Sequence, residues 1–283
     1  MMAESDRRFL GSDPPHWRDP AWLKEQLRLC NALGQGTRVG IVDTGIEQSI
    51  LEARQQQRGY SMPPVHGVIF HQAKSPPSPY RGLASAPHGT TVADIILRTA
   101  PQSQLFSADI FGMTGTPDVE LLVTAIRHCV DAWQCQVINL SLGVVDAQLT
   151  SPHRRQLLLR TIEECYHRQI IIVAAAHNDH PTTRSYPAVF SPPLLSVERG
   201  VALEEDQFAY VAHEGIEFAA VGRGYFGPFC MEPANSWAAP HVSGWVACLL
   251  SWLPDLQPFE VKTLLYWLSK ERADSNLKKA NAR

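Results

Sequence analysis

The chain has 283 residues, 45% of them hydrophobic and 19% charged, and a formal net charge of -3. That is enough apolar material for a large core, while the charge balance offers no basic field for nucleic acid. The longest apolar runs, such as Val242 to Leu253, are broken by polar residues and fall short of the roughly 20 residues that cross a bilayer, so no membrane partner is expected.

Met1 to Trp17 is polar and carries two adjacent prolines, the opposite of the apolar stretch of a secretory signal, which predicts a cytoplasmic protein. Residues 1–20 read as an N-terminal extension, 21–270 as one domain without a linker-like shift in composition, and 271–283 as a C-terminal tail. Along the domain, short β-branched and aliphatic runs predict strands at Arg38 to Val42, Val68 to Phe70, Leu105 to Ile110, Val137 to Leu140, Ile170 to Val173 and Leu194 to Val197. Gln72 to Pro87, with four prolines in sixteen residues, reads as a loop.

Helical spacing predicts a helix over Pro117 to Trp133, with Thr116 as its cap and Pro117 in its first turn, another over Arg154 to His167, and a third from Ser236 to Trp252. Near-continuously apolar strands that alternate with helices predict a three-layer α/β/α domain with a mainly parallel sheet. The six cysteines are scattered and partly inside helical patterns, where cysteine packs as a small hydrophobe, so no structural disulfide is expected.

Three residues stand where chemistry gathers in such folds. Asp43 ends an apolar strand and is followed by Thr44 and Gly45, at the carboxyl edge of the sheet. His88 opens an apolar helical run, and Ser236 begins a helix whose free N–H groups favour a developing oxyanion. Each has a bland alternative as a turn, surface or cap residue. Their order along the chain, Asp then His then Ser, is that of one of the convergent serine-nucleophile triads.

Five segments in order resemble the subtilase family of serine peptidases. Val42-Asp43-Thr44-Gly45 is similar to its aspartate motif, His88-Gly89-Thr90-Thr91-Val92-Ala93 to its histidine motif, and Ser236-Trp237-Ala238-Ala239-Pro240 to its serine motif. Val137 to Gly143 resembles the edge segment that pairs with an extended substrate, and Val173 to Asp179 the segment that supplies an oxyanion asparagine. The resemblance covers roughly Thr37 to Leu268. It implies an acyl-enzyme endopeptidase with Asp43, His88 and Ser236 as its catalytic triad and Asn178 as the side-chain half of the oxyanion hole. Ser141, Leu142, Gly143, Ala176, His177 and Arg184 would bind substrate, with no cofactor and no metal.

This chain departs from the family at His177, where glycine is usual, and at Ala234 and Asn235, where Gly and Thr are usual; Trp237 replaces a smaller neighbour of the serine. His177 and Arg184 predict a pocket that disfavours large apolar side chains before the cut bond, and Ala234 raises the question of whether a glycine conformation is needed there. The chain also resembles, through a stretch like Gln148 to Thr150, the proteases of cyanobactin-type peptide biosynthesis. That implies restricted specificity, such as precursor-peptide maturation, on a peptide or protein substrate with a biosynthetic partner protein. A subtilase-fold module that captures peptides without cutting them is the rival reading.

Overall fold

The computed structural model describes residues 18–112, 118–149, 151–200, 203–204 and 206–280, with backbone alone at 228 and 270–280. In chain order these form α1 (Pro20–Leu29), β1 (Arg38–Asp43), α2 (Gln48–Gln57), β2 (His66–Ile69), β3 (Ser78–Pro79), α3 (Pro87–Thr99), β4 (Gln104–Asp109), α4 (Val119–Asp131) and β5 (Val137–Leu140). There follow β6 (Val144–Val145), α5 (Pro152–His167), β7 (Ile171–Ala175), β8 (Ser185–Tyr186), β9 (Leu195–Gly200), β10 (Phe208–His213), β11 (Ile216–Val221), α6 (Asn235–Trp252) and α7 (Pro258–Ala280).

Nine strands make one sheet in the order β10-β11-β9-β7-β5-β1-β4-β2-β3. Pairing is parallel from β11 to β2, and only the edge partners β10 and β3 run antiparallel. Side-chain alternation along each strand feeds two separate cores. Val39, Ile41, Val137, Ile171 and Val173 pack with α1, α3, α6 and α7 on one face, whereas Val42, Ile138, Ile172 and Ala174 pack with α4 and α5 on the other. The molecule is therefore a three-layer α/β/α domain with a mainly parallel sheet, as its strand pattern predicts.

The predicted central strands and helices form within a few residues of their expected bounds, with corrections at the margins. The α4 cap is Asp118, whose Oδ1 accepts from the N–H of Leu121 at 2.7 Å; the expected Thr116 and Pro117 lie outside the described residues. The proline-rich loop contributes β3 and ends inside α3, where Pro87 takes the first turn. Helix α7 runs through the segment read as the start of a tail. All six cysteines are free, and Cys129, Cys135, Cys165 and Cys248 are buried.

On the helix side of the first core, Asp94 of α3 is fully buried and holds two guanidinium groups, one from α2 and one from the residue that caps its C-terminus. Arg54 donates to both of its oxygens at 2.7 and 3.0 Å, and Arg58 to one at 2.6 Å. This cluster fastens α2, the first element after Asp43, to the helix that begins at His88.

Candidate active site

The sheet order β7-β5-β1 places the carboxyl ends of three neighbouring strands side by side. Asn178 follows β7, Ser141 follows β5 and Asp43 ends β1, so strands about 4.8 Å apart carry three site residues in a row. Helices α3 and α6 bring His88 and Ser236 to the same edge in their first turns.

His88 meets Asp43 through Nδ1, at 2.8 Å from Oδ1 and 3.0 Å from Oδ2. The carboxylate is 1% exposed and also accepts from the N–H of Thr44 at 2.7 Å. Thr44 in turn fixes the start of α3, since its Oγ1 donates to Ala86 O at 2.8 Å and accepts from Gly89 N at 2.9 Å. Glycine is required at 89, because a Cβ there would strike the carbonyl of Gly45 and crowd Asp43. Gly45 itself turns the chain at φ +83°, a left-handed conformation that side chains disfavour.

Burial opposes a charge on His88, but the charge of Asp43 and its hydrogen bond outweigh it, and the imidazole pKa lies above its ordinary 6.5. A base must be neutral to take a proton. The acid limb of kcat/KM on a small chromogenic peptide is therefore expected above pH 6.5, with activity falling as His88 protonates; a limb at or below 6.5 would contradict the pairing with Asp43. The contribution of this pair to stability runs the other way, being complete below the unfolded pKa and fading as pH rises through the raised folded one.

Ser236 Oγ donates to the carbonyl of Ser141 at 3.0 Å. The return bond is built from a vacancy: Pro240 has no N–H for the carbonyl of Ser236 four residues earlier, and Ser141 Oγ donates to that carbonyl at 2.8 Å instead. Behind Ser141 the network continues, with Asn139 Nδ2 donating to its Oγ at 2.9 Å and Ser243 Oγ donating to Asn139 Oδ1 at 2.8 Å. Asn139 and Ser243 are fully buried, so the polar chain is satisfied within the core.

Asn178 accepts from the N–H of Asn235 through Oδ1 at 2.8 Å, and its Nδ2 has no hydrogen-bond partner among the described residues. Asn235 also donates to His177 O at 2.6 Å and accepts from Arg199 N at 2.8 Å. One buried side chain thus knits the loop after β7, strand β9 and the serine together. Sequence reading took Asn235 only as a departure from family pattern; its role depends on three segments that meet only in the fold. Ala234 has φ -146° and ψ 154°, an extended backbone open to any residue, so no glycine conformation is needed. Trp237 packs on the His88 ring at 4.6 Å, and its indole N–H donates to Glu232 O at 2.9 Å.

The chain matches the model of the subtilase family over residues 34–281. It belongs to that family. A curated relative, subtilisin DY of Bacillus licheniformis, is 26% identical over 267 residues, covering 86% of each chain. Among solved structures, the S41 psychrophilic protease superposes with a TM-score of 0.63 at 20% identity, covering 82% of each chain. The prenylagaramide maturation protease PagA gives a TM-score of 0.57 at 19% identity, with 82% of this chain and 80% of that one covered. The protein is accordingly a serine peptidase of the subtilase family.

In this subtilase Ser141, Leu142 and Gly143 form a segment outside any ladder, leading into β6, which pairs with β8. Tyr186 of β8 is buried and donates to Asp146 Oδ1 at 2.8 Å. Ala176 is buried, and Arg184 is exposed. The His177 ring folds back on its own turn, accepting from Asp179 N at 3.1 Å. A cavity of about 590 Å³ has Arg199, Glu204, Asp206 and Arg223 in its wall.

Proposed function

We propose that Ser236 is the nucleophile of an endopeptidase, His88 its general base and then acid, and Asp43 the group that orients His88. The observation that carries this reading is the Asp43–His88 hydrogen bond at 2.8 Å, at the sheet edge where α6 presents Ser236. Asp43 on Nδ1 keeps Nε2 as the acceptor. Ser236 Oγ attacks the scissile carbonyl as its proton passes to Nε2, and the oxyanion is met by Asn178 Nδ2 and the N–H of Ser236. His88 then returns the proton to the leaving amine, and water repeats the sequence on the acyl-enzyme.

The substrate binds extended along Ser141, Leu142 and Gly143 by strand addition. A substrate N–H that takes the Ser141 carbonyl displaces the Ser236 hydroxyl from it, freeing Oγ to turn toward His88. Binding and activation of the nucleophile are thereby coupled. The family match supports cutting over the non-cutting module.

The pocket for the residue before the cut bond includes Ala176, His177 and Arg184 and takes small or acidic side chains. A pocket so restricted suits precursor-peptide maturation in the cytoplasm with a biosynthetic partner protein, a reading supported by the fold shared with a maturation protease. No helix among the described residues is long and apolar enough to cross a membrane. In a peptide panel, Ala or Asp before the cut bond is expected to exceed Phe by about tenfold or more in kcat/KM, with casein left intact. Equal rates across the panel, or digestion of casein, would remove the restricted specificity.

A further inference from the structure

We infer that His180, Glu198 and His213 form a binding site for a zinc-class divalent cation. They come from three elements: His180 from the loop after β7, Glu198 from β9 and His213 from the end of β10. One ligand atom from each lies within 4.8 Å of the other two. Sequence spacing pointed to no metal site, because His177 and His180 alone offer too few ligands; the fold adds Glu198 and His213, distant in the chain.

Two further features distinguish this cluster from a chance grouping. Both ring nitrogens of His180 are buried without a hydrogen-bond partner among the described residues, which an imidazole in a settled packing site avoids. The β10–β11 ladder shifts register between Tyr210 and His213, and the flanking residues Ala212 and Glu214 have φ of 46° and 50°. An irregularity of this kind re-aims a side chain, here His213 toward Glu198 at 2.6 Å and the His180 ring at 6.2 Å.

Two imidazoles and a carboxylate are the donor set of zinc, with a fourth position left to water. Tetrahedral ligands around zinc stand about 3.3 Å apart, so the three groups close on the ion from below 4.8 Å while the Glu198–His213 contact opens. Zinc takes the lone pair of His213 Nε2, the ring hydrogen moves to Nδ1, and Glu198 turns from accepting that hydrogen to ligating the metal. Magnesium and calcium, which require oxygen ligands, are excluded by the same donor set.

The site would clasp the oxyanion loop. That loop is tied to Asn235 at its start, through Asn178 and the carbonyl of His177, while at its far side the one hydrogen bond of His180 among the described residues is that of its backbone N–H to His177 O at 3.0 Å. A cation joining His180 to β9 and β10 fastens the second side to the sheet, two residues from Asn178.

The full chain, freed of metal by chelation, is titrated with Zn²⁺ by calorimetry and with Co²⁺ by visible absorption, beside His180→Ala, Glu198→Gln and His213→Ala. One zinc per chain is expected, with a rise in Tm and slower amide exchange over 177–184, neither produced by Mg²⁺ or Ca²⁺. Each variant is expected to bind at least tenfold more weakly. His180→Ala breaks no side-chain hydrogen bond, so it should keep the metal-free Tm and isolate the ligand effect. Zinc bound equally by the wild type and by His180→Ala would place the ion elsewhere and overturn the inference, as would no binding at all.

Discussion

Ser236→Ala is expected to lower kcat about a millionfold, the magnitude known for subtilisin's own serine, and His88→Ala by nearly as much. The double variant should be scarcely worse than either, because an alcohol without its base and a base without its alcohol are equally idle. A fluorophosphonate probe reads the same chemistry directly. Mass spectrometry should find the adduct on Ser236 in the intact protein and on neither variant. Labelling of His88→Ala at the wild-type rate would show a serine activated by some other group and would dismantle the assignment of His88.

The largest effect on stability is expected at the α2–α3 cluster. Replacing Arg54 and Arg58 together by Ala leaves the Asp94 carboxylate fully buried and without a partner, a loss of about 3–5 kcal/mol. In a domain of this size that lowers Tm by roughly 10 °C. Arg58→Ala alone should cost much less, since Arg54 still donates to both carboxylate oxygens. Thermal melts of the singles and the double measure the coupling. Additive, small losses would mean that water reaches Asp94 and that the cluster contributes little.

Much of the architecture could be read from residue order because its central strands are buried on both faces and so are almost wholly apolar, as Ile171 to Ala175 is and as Val137 to Leu140 is but for Asn139. The edge hairpin β10–β11 was not legible. His213 and Glu214 interrupt its apolar residues, and its pairing depends on a register shift that no alternation predicts. The same division holds in the site. Asp43, His88 and Ser236 each sit beside short local patterns, a strand end or a helix start, that survive in sequence. Asn235 acts through partners at 177, 178 and 199, and Trp237 through a ring packed at a tilt against His88, so their roles exist only once distant segments meet.

The proline in α6 carries a further consequence for how this enzyme would tolerate change. Because the carbonyl that Pro240 leaves unpaired is answered by Ser141, and Ser141 by Asn139 and Ser243, the backbone of Ser236 is registered against the middle of the sheet rather than against the solvent-facing loops. Drift in the surface around the substrate can therefore retune selectivity while the serine stays in place. A silent-looking exchange at Ser243, deep in the interior and remote from any peptide, would instead be felt as a lesion in catalysis.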